Sequence, residues 1–197
     1  MFILTTIADL VQIAPEDFTK PSAQALEDNI NRKYANKVIQ KIGLCICLYD
    51  ILTVSDGLIG HGTGIVNVNV EFRLVVFRPF KGEILQGKIL GSSHLGIRIH
   101  MGFYEDIFVP GPVNLFEGSE FDVAEQVWVW KAEGENGTEE LYFDTNEVVR
   151  FRVEAEVWHD QSPQAPMADD ASDEERKTPY SIIASMQQGG LGPTMWW

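Results

Sequence analysis

The chain of 197 residues carries 15 basic and 29 acidic side chains, a formal net charge of −14, and 45% of its residues are hydrophobic. That length suits one or two small domains, and that apolar share is enough for real cores, which excludes a wholly disordered chain. The acid is uneven: residues 1–80 hold 7 basic and 8 acidic side chains, net −1, whereas residues 81–197 hold 8 and 21, net −13. Such a field repels phosphate and argues against tight autonomous nucleic-acid binding. No apolar run approaches the ~20 residues of a membrane span, and the first six residues lack the basic-then-apolar layout of a secretory signal.

Phe2–Ile13 is rich in β-branched and aliphatic residues and stops before Pro15, which reads as a strand. Pro21 sits where a first helical turn tolerates proline. Ala23, Leu26, Ile30 and Tyr34 then recur at spacings of three or four, with Arg32, Lys33 and Lys37 toward the C-terminal end, so one amphipathic helix is expected. Residues 38–52 read as a strand with Ile42, Leu44, Ile46 and Leu48 on one face and Gly43, Cys45, Cys47 and Tyr49 on the other. The small residues of the second face suit a subunit interface, although they can equally face the strand's own domain. Cys45 and Cys47 stand too close along a strand to bridge each other and are expected to be reduced, buried packing residues.

Residues 55–64 form a turn-rich loop in which Gly57, Gly60, Gly62 and Gly64 surround His61. A phosphate-binding loop is excluded, because no Gly-Lys-Ser/Thr follows and the next element is a strand. In that strand Val66, Val68, Val70, Phe72, Leu74 and Val76 alternate with Asn67, Asn69, Glu71 and Arg73, the pattern of a half-buried ladder. The alternation ends at Arg78-Pro79, since proline cannot donate to a ladder, and Lys81-Gly82 permits a change of direction. A domain boundary is therefore expected near Phe80, with almost no linker and the two halves held stiffly. Residues 1–80 read as an α+β domain, a helix packed on a small antiparallel sheet.

Short strands separated by turns follow, at 83–90, 95–101, 106–109, 125–131, 140–143, 148–157 and 181–186, as an OB or other small barrel requires. Residues 81–197 are thus expected to be all-β. Residues 160–178, with Pro163, Pro166 and a cluster of Asp and Glu, read as a disordered acidic insertion with too little apolar surface to offset ordering. Asn136-Gly137-Thr138 matches a glycosylation sequon but reads better as a hairpin turn. The terminal Trp196-Trp197 pair is expected to pack on the barrel or on a partner rather than sit in water, with docking onto the first domain or the partner preferred.

Catalysis finds no support in these residues. Gly91-Ser92-Ser93-His94-Leu95 fails the nucleophile-elbow pattern at its last position, the four histidines show no metal spacing, and two cysteines cannot complete a zinc site. Neither a metal nor another cofactor is expected. RNA contact has more behind it: side chains two apart share a strand face, so Arg98 and His100 project together, as do Arg150 and Arg152, while Val149, Phe151 and Val153 go inward. Lys81 and Lys88 extend the set, and Tyr104 and Phe108, with Phe103 beside them, offer stacking surfaces. The competing reading of the arginines is salt bridging to Glu154, Glu156 or Asp106. For Trp128 and Trp130, which share a face, it is core or interface packing.

Val75 to Ile84 (Val-Val-Phe-Arg-Pro-Phe-Lys-Gly-Glu-Ile), with Gly43 to Asp50 upstream and Glu125 to Trp130 downstream, resembles the stalk-subunit family of eukaryotic RNA polymerases essentially end to end. The cysteine-bearing strand, the double Val-Trp and the C-terminal Trp pair look like the RNA polymerase III form. The resemblance implies an N-terminal tip domain over residues 1–80 and a C-terminal S1-type OB barrel over 81–197. It further implies a heterodimer with a smaller helical stalk partner, contacts with initiation factors, weak contact with nascent RNA, and work in the nucleus without catalysis. It makes the loop of Asp56, Gly57, Gly60, His61, Gly62 and Gly64 the candidate for docking on the polymerase core, and Cys45, Cys47, Tyr49, Trp196 and Trp197 candidates for the partner interface. Gly87-Lys88-Ile89 and Gly96-Ile97-Arg98-Ile99 resemble the opening of an S1 domain, except that Arg98 and His100 stand where that family has a stacking aromatic. The alternatives are the equivalent stalk subunit of RNA polymerase II and a free-standing OB-fold RNA-binding factor.

Overall fold

A computed structural model describes residues 1–134, 137–161 and 178–197, and its internal contacts separate two units, Met1–Pro79 and Phe80–Trp197. The expected acidic insertion falls largely outside the described residues, as does Asn136 of the expected hairpin turn.

The first unit runs β1 (Phe2–Ile13), α1 (Ser22–Tyr34), β2 (Val38–Ile39), β3 (Gly43–Val54), β4 (Leu58–Ile59) and β5 (Val66–Phe77). The sheet order is β1-β5-β3-β2, with β4 also on β5 and every pairing antiparallel. The alternation of β5 decides its two faces: Val68, Val70, Phe72, Leu74 and Val76 are buried, and they share a cluster with Ala25, Leu26 and Ile30 of the helix. Polar contacts add to this apolar seam, since the Tyr34 hydroxyl donates to Asp9 at 2.7 Å and Lys33 pairs with the same carboxylate. Burial alone raises the Asp9 carboxyl, but the bonds from Lys33 and Tyr34 outweigh it and hold the group below its ordinary value.

Strand β3 departs from simple alternation. Its register against β5 shifts between Cys45 and Cys47, between Leu48 and Asp50, and between Ile51 and Thr53. Each irregularity changes which face the following residues take. Cys45 therefore lies fully buried in the helix-side cluster while Cys47 is exposed. The expectation that both cysteines are buried and share a face is corrected by that break. Burial pushes the Cys45 thiol up to about 11. At neutral pH, Ellman's reagent should accordingly titrate one thiol per native chain and a second only in denaturant. Two fast native thiols would contradict this burial.

The second unit runs β6 (Ile84–Ser93), β7 (Gly96–His100), β8 (Ile107–Pro110), β9 (Ser119–Asp122), β10 (Val127–Gly134), β11 (Gly137–Tyr142), β12 (Val148–Trp158), β13 (Tyr180–Ser185) and β14 (Gly192–Pro193). Strands β13-β8-β7-β6-β12 pair in that order and β12 pairs back with β13, which closes a five-stranded ring. All its pairings are antiparallel except β8 with β13, which is parallel. Leu85, Ile89, Ile97, Ile99, Val149, Phe151 and Val153 are among the buried side chains that fill it. Gly87 is required by close approach: a Cβ there would stand 2.7 Å from Ile99 Cγ2 and 2.8 Å from the His100 carbonyl oxygen.

Strands β9, β10 and β11 make a separate three-stranded sheet. Two tryptophans attach it. Trp128 is buried, its indole N–H donates to the Ser93 carbonyl at 2.9 Å, and its ring lies where any side chain at Gly111 would be. Trp130 stacks on Phe116 at 4.4 Å between ring centroids and donates to the Glu117 carbonyl at 3.0 Å.

Candidate functional site

The outer face of the barrel carries the cationic residues. Register partners share a face, and β6 aligns Lys88 with His100 of β7 and with Val148 of β12. Arg98 is paired with Phe108 across β7 and β8, and Arg150 with Gln86 across β12 and β6. Arg98, Lys88 and Arg150 are exposed, and His100 and Phe108 half-buried. Strands β7 and β12 lie on either side of β6, about 10 Å apart at ~4.8 Å per strand, and along β6 Arg150, opposite Gln86, is offset by two residues from His100, opposite Lys88. Beside this row is a depression of roughly 340 Å³ lined by Gln86, Gly87, Lys88, His100, Met101, Gly102 and Val148.

Not every expected member joins the row. Arg152 is half-buried, and its Nε donates to Glu154 Oε1 at 2.7 Å, so it is engaged in the salt bridge that is the competing reading. Tyr104 is 5% exposed, donates its hydroxyl to the Tyr180 carbonyl at 2.9 Å and packs on the Tyr180 ring. Burial, first, and then Asp106 raise its phenol far above the ordinary value. It is a core residue and cannot stack on a base, which corrects the expectation. The neighbouring Phe103 is 43% exposed and follows directly on Met101 and Gly102 of the depression. Lys81 is exposed in the turn before β6, whose Gly82 N–H donates to the Val153 carbonyl. Asp106 is raised by burial and by Glu105 and lowered by Arg98, so Arg98 does feel an acidic neighbour.

The candidate interface residues divide as well. Cys47 and Tyr49 are exposed, and the Arg73 guanidinium, paired with Asp50, lies 5.2 Å from the Tyr49 ring centroid. Cys45 is 0% exposed and offers nothing to a partner, which removes it from the interface set. Trp196 packs edge-on against Phe143 at 4.7 Å and stacks with Trp130 at 5.7 Å, inside its own unit. Trp197 keeps 57% of its surface exposed while its indole N–H donates to the Leu191 carbonyl at 2.7 Å.

The loop of Asp56, Gly57, Gly60, His61, Gly62 and Gly64 is an ordered hairpin end. The Ser55 N–H donates to the Asn69 carbonyl at 2.9 Å and the Gly60 N–H to the Ile65 carbonyl at 2.8 Å. Gly62 and Gly64 have φ of 80° and 68°, the left-handed values that let the chain turn back. Between the glycines stand Leu58 and Ile59, 70% and 73% exposed. Attention to the glycines missed them. Two consecutive aliphatic residues inside a glycine-rich loop were the available signal.

Among the described residues no group of three or more His, Cys, Asp or Glu is placed to hold a metal ion. Residues 83–197 match the family model described as RNA polymerase III subunit Rpc25, and residues 8–64 match the SHS2 domain found in the N terminus of Rpb7p/Rpc25p/MJ0397. The chain is 46% identical over 203 residues to DNA-directed RNA polymerase III subunit rpc8 of Schizosaccharomyces pombe, covering 100% of both chains. It is 43% identical over 202 residues to subunit RPC8 of Bos taurus, covering 100% of this chain and 98% of that one. RNA polymerase II subunit RPB7 of Saccharomyces cerevisiae is more distant, 29% identical over 104 residues that cover 52% of this chain and 61% of its own. Matched by the Rpc25 model over more than half its length and by RPC8 proteins from end to end, the chain belongs to the Rpc25/RPC8 family of RNA polymerase III subunits.

Proposed function

We propose that the chain works in the nucleus as the non-catalytic stalk subunit of RNA polymerase III, with residues 1–80 as the tip that docks on the core and residues 81–197 as an S1-like OB barrel. The observation that carries this is the end-to-end similarity to RNA polymerase III subunits, against half-length similarity to the RNA polymerase II counterpart. The five-stranded ring supports the OB reading, because its order and single parallel closure are those of a Greek-key barrel of that type. The antiparallel sheet buries one face against Ala25, Leu26 and Ile30 of α1, which supports the tip as a helix laid on an antiparallel sheet. A smaller helical partner, initiation factors and nascent RNA complete the assembly. Cys47 and Tyr49 serve the partner, and the Arg98, Lys88, His100 and Arg150 row serves RNA, with Arg152 held in reserve by Glu154.

The test is affinity purification of the tagged full-length chain at native abundance, with mass spectrometry and photocrosslinking of bound RNA. Stoichiometric RNA polymerase III core subunits and one small helical protein are expected, and Arg98→Glu with Arg150→Glu should cut RNA crosslinking several-fold without changing the protein partners. Recovery of RNA polymerase II subunits, or of the chain alone with RNA, would sink the reading.

A further inference from the structure

Residues 29–49 contain four basic side chains, Arg32, Lys33, Lys37 and Lys41, and no acidic one, in a chain with 29 acidic residues. Residues 84–104 also lack acid, and they supply Lys88, Arg98 and His100 of the barrel row. The first stretch has no part in that row. Two of its cations are accounted for locally: Lys33 pairs with Asp9, Arg32 donates to Asn29 Oδ1 at 3.4 Å, and both lie in the last turn of α1, where the helix dipole favours them. Lys37 and Lys41 lie beyond the helix. Both are exposed, and among the described residues neither has a carboxylate partner.

The fold holds these two lysines on a fixed hairpin. They flank β2, which is a terminal strand of its sheet. On one side the Asn36 N–H donates to the Cys45 carbonyl and the Cys45 N–H to the Lys37 carbonyl, each at 2.9 Å. On the other, the Ile42 N–H donates to the Ile39 carbonyl at 3.0 Å and Arg78 Nη1 to the Lys41 carbonyl at 2.7 Å, which brings a third positive charge alongside. Lys41 has φ of 63°, in the left-handed region where glycine or asparagine would cost less. The turn alone gives no reason for a lysine there.

Exposed cations at the edge of a sheet, with no acid near them in sequence, are complementary to an anionic partner. Nucleic acid fits poorly. Tyr34 is the one aromatic residue within 30–48, and its hydroxyl is bonded to Asp9 and its ring packed on Phe72, so no ring is offered to a base. A long polyphosphate would also run through the field of a chain of net charge −14, whereas a short carboxylate-bearing segment feels mainly the charges within a Debye length of ~8–10 Å. Lys37 and Lys41 are four residues apart and so at most ~14 Å from one another. Carboxylates two or four residues apart on an extended chain lie on one side of it and span that distance.

We infer that the β2 edge, through Lys37 and Lys41, receives an extended acidic segment of a partner protein. The site goes beyond the stalk reading and does not depend on it.

The experiment is fluorescence anisotropy with the full-length chain, using a labelled peptide of alternating glutamate and serine and, for comparison, an oligothymidylate of equal charge. The peptide should bind with Kd on the order of 100 µM at ~50 mM salt and weaken as salt rises. Lys37→Gln with Lys41→Gln should weaken it about five- to tenfold. Lys20→Gln with Lys131→Gln removes the same charge from lysines already paired with Asp28 and Glu120, and should stay within about twofold. All four side chains are on the surface, so melting temperatures of the two double variants should match the wild type. Equal weakening in both double variants would reduce the effect to overall charge and overturn the site. Peptide binding undisturbed by the Lys37 and Lys41 changes, or none by the wild-type chain up to ~1 mM, overturns it as well. Tighter binding of the oligothymidylate, lost with the same two lysines, would make the edge a nucleic-acid surface instead. Self-association of the Lys37 and Lys41 variant with peptide binding intact would show lysines that only guard a sheet edge. The stalk reading is judged separately, by recovery of polymerase subunits, and none of these outcomes alters it.

Discussion

Phe151→Ala is expected to lower the melting temperature of the barrel unit by about 10–20 °C, the consequence of losing about 3–5 kcal/mol in a domain of this size. Phe151 is 0% exposed, on the inward face of β12, and its ring edge comes within 3.3 Å of where a Cβ on Gly87 would stand. Neighbours cannot relax into the hole. Val149 and Val153 sit on the same strand face, Leu85 is its register partner, and all belong to strands held in a closed ladder. A cavity in a ring of paired strands stays largely open, so the transfer and cavity costs add. Set against a total stability of about 5–15 kcal/mol, the change consumes much of the margin. Circular dichroism on heating checks it. A drop of under 3 °C would mean that the barrel core repacks far more freely than a closed ladder permits.

How much of this architecture the residues declared in advance depended on whether period two held. β5 could be read at once, because Val68 to Val76 alternate without interruption and its ladder to β1 runs twelve residues in unbroken register. The change at Arg78-Pro79 was equally plain, for a proline there cannot continue the ladder. β3 was misread where it mattered. Its three register shifts are set by how it lies on β5, and nothing in Gly43 to Asp50 marks where an extra residue is accommodated. Cys45 is buried as expected, whereas Cys47, two residues on, comes out exposed. Tyr104 failed for another reason: it lies in a loop beside Phe103, where adjacency says nothing about which ring faces the core and which faces water. β9 was missed because four residues with one aromatic carry no periodic signal. Of the barrel's outer row, the cations were found from alternation alone, but that Arg152 is taken up by Glu154 required the positions of both side chains.

The C-terminal tryptophans carry the second large effect. Trp196 should prove to be an internal fastener: Trp196→Ala is expected to cost about 2–4 kcal/mol and to loosen the inserted sheet while the barrel ring persists. β9, β10 and β11 pair with none of the ring strands and are held in place by side chains. Trp196 touches the rings of Phe116, Trp130 and Phe143, so it joins the β8–β9 connection, the middle strand of the inserted sheet and the segment before β12 in one aromatic cluster. The tail that brings it there is itself pinned, since Gly192 and Pro193 pair with Arg150 and Val149. Half-burial keeps the cost below that of Phe151. Hydrogen exchange is the discriminating measurement: amides of residues 119–132 should exchange faster in the variant, with those of β6, β7 and β12 nearly unchanged. A double-mutant cycle with Trp130→Ala should return a coupling of about 0.5–1.5 kcal/mol, the worth of a stacked aromatic pair beyond its burial. Uniform loss of protection across the unit would show that the tail supports the barrel as a whole. Unchanged exchange together with loss of a partner protein would return Trp196 to the interface from which this packing removes it.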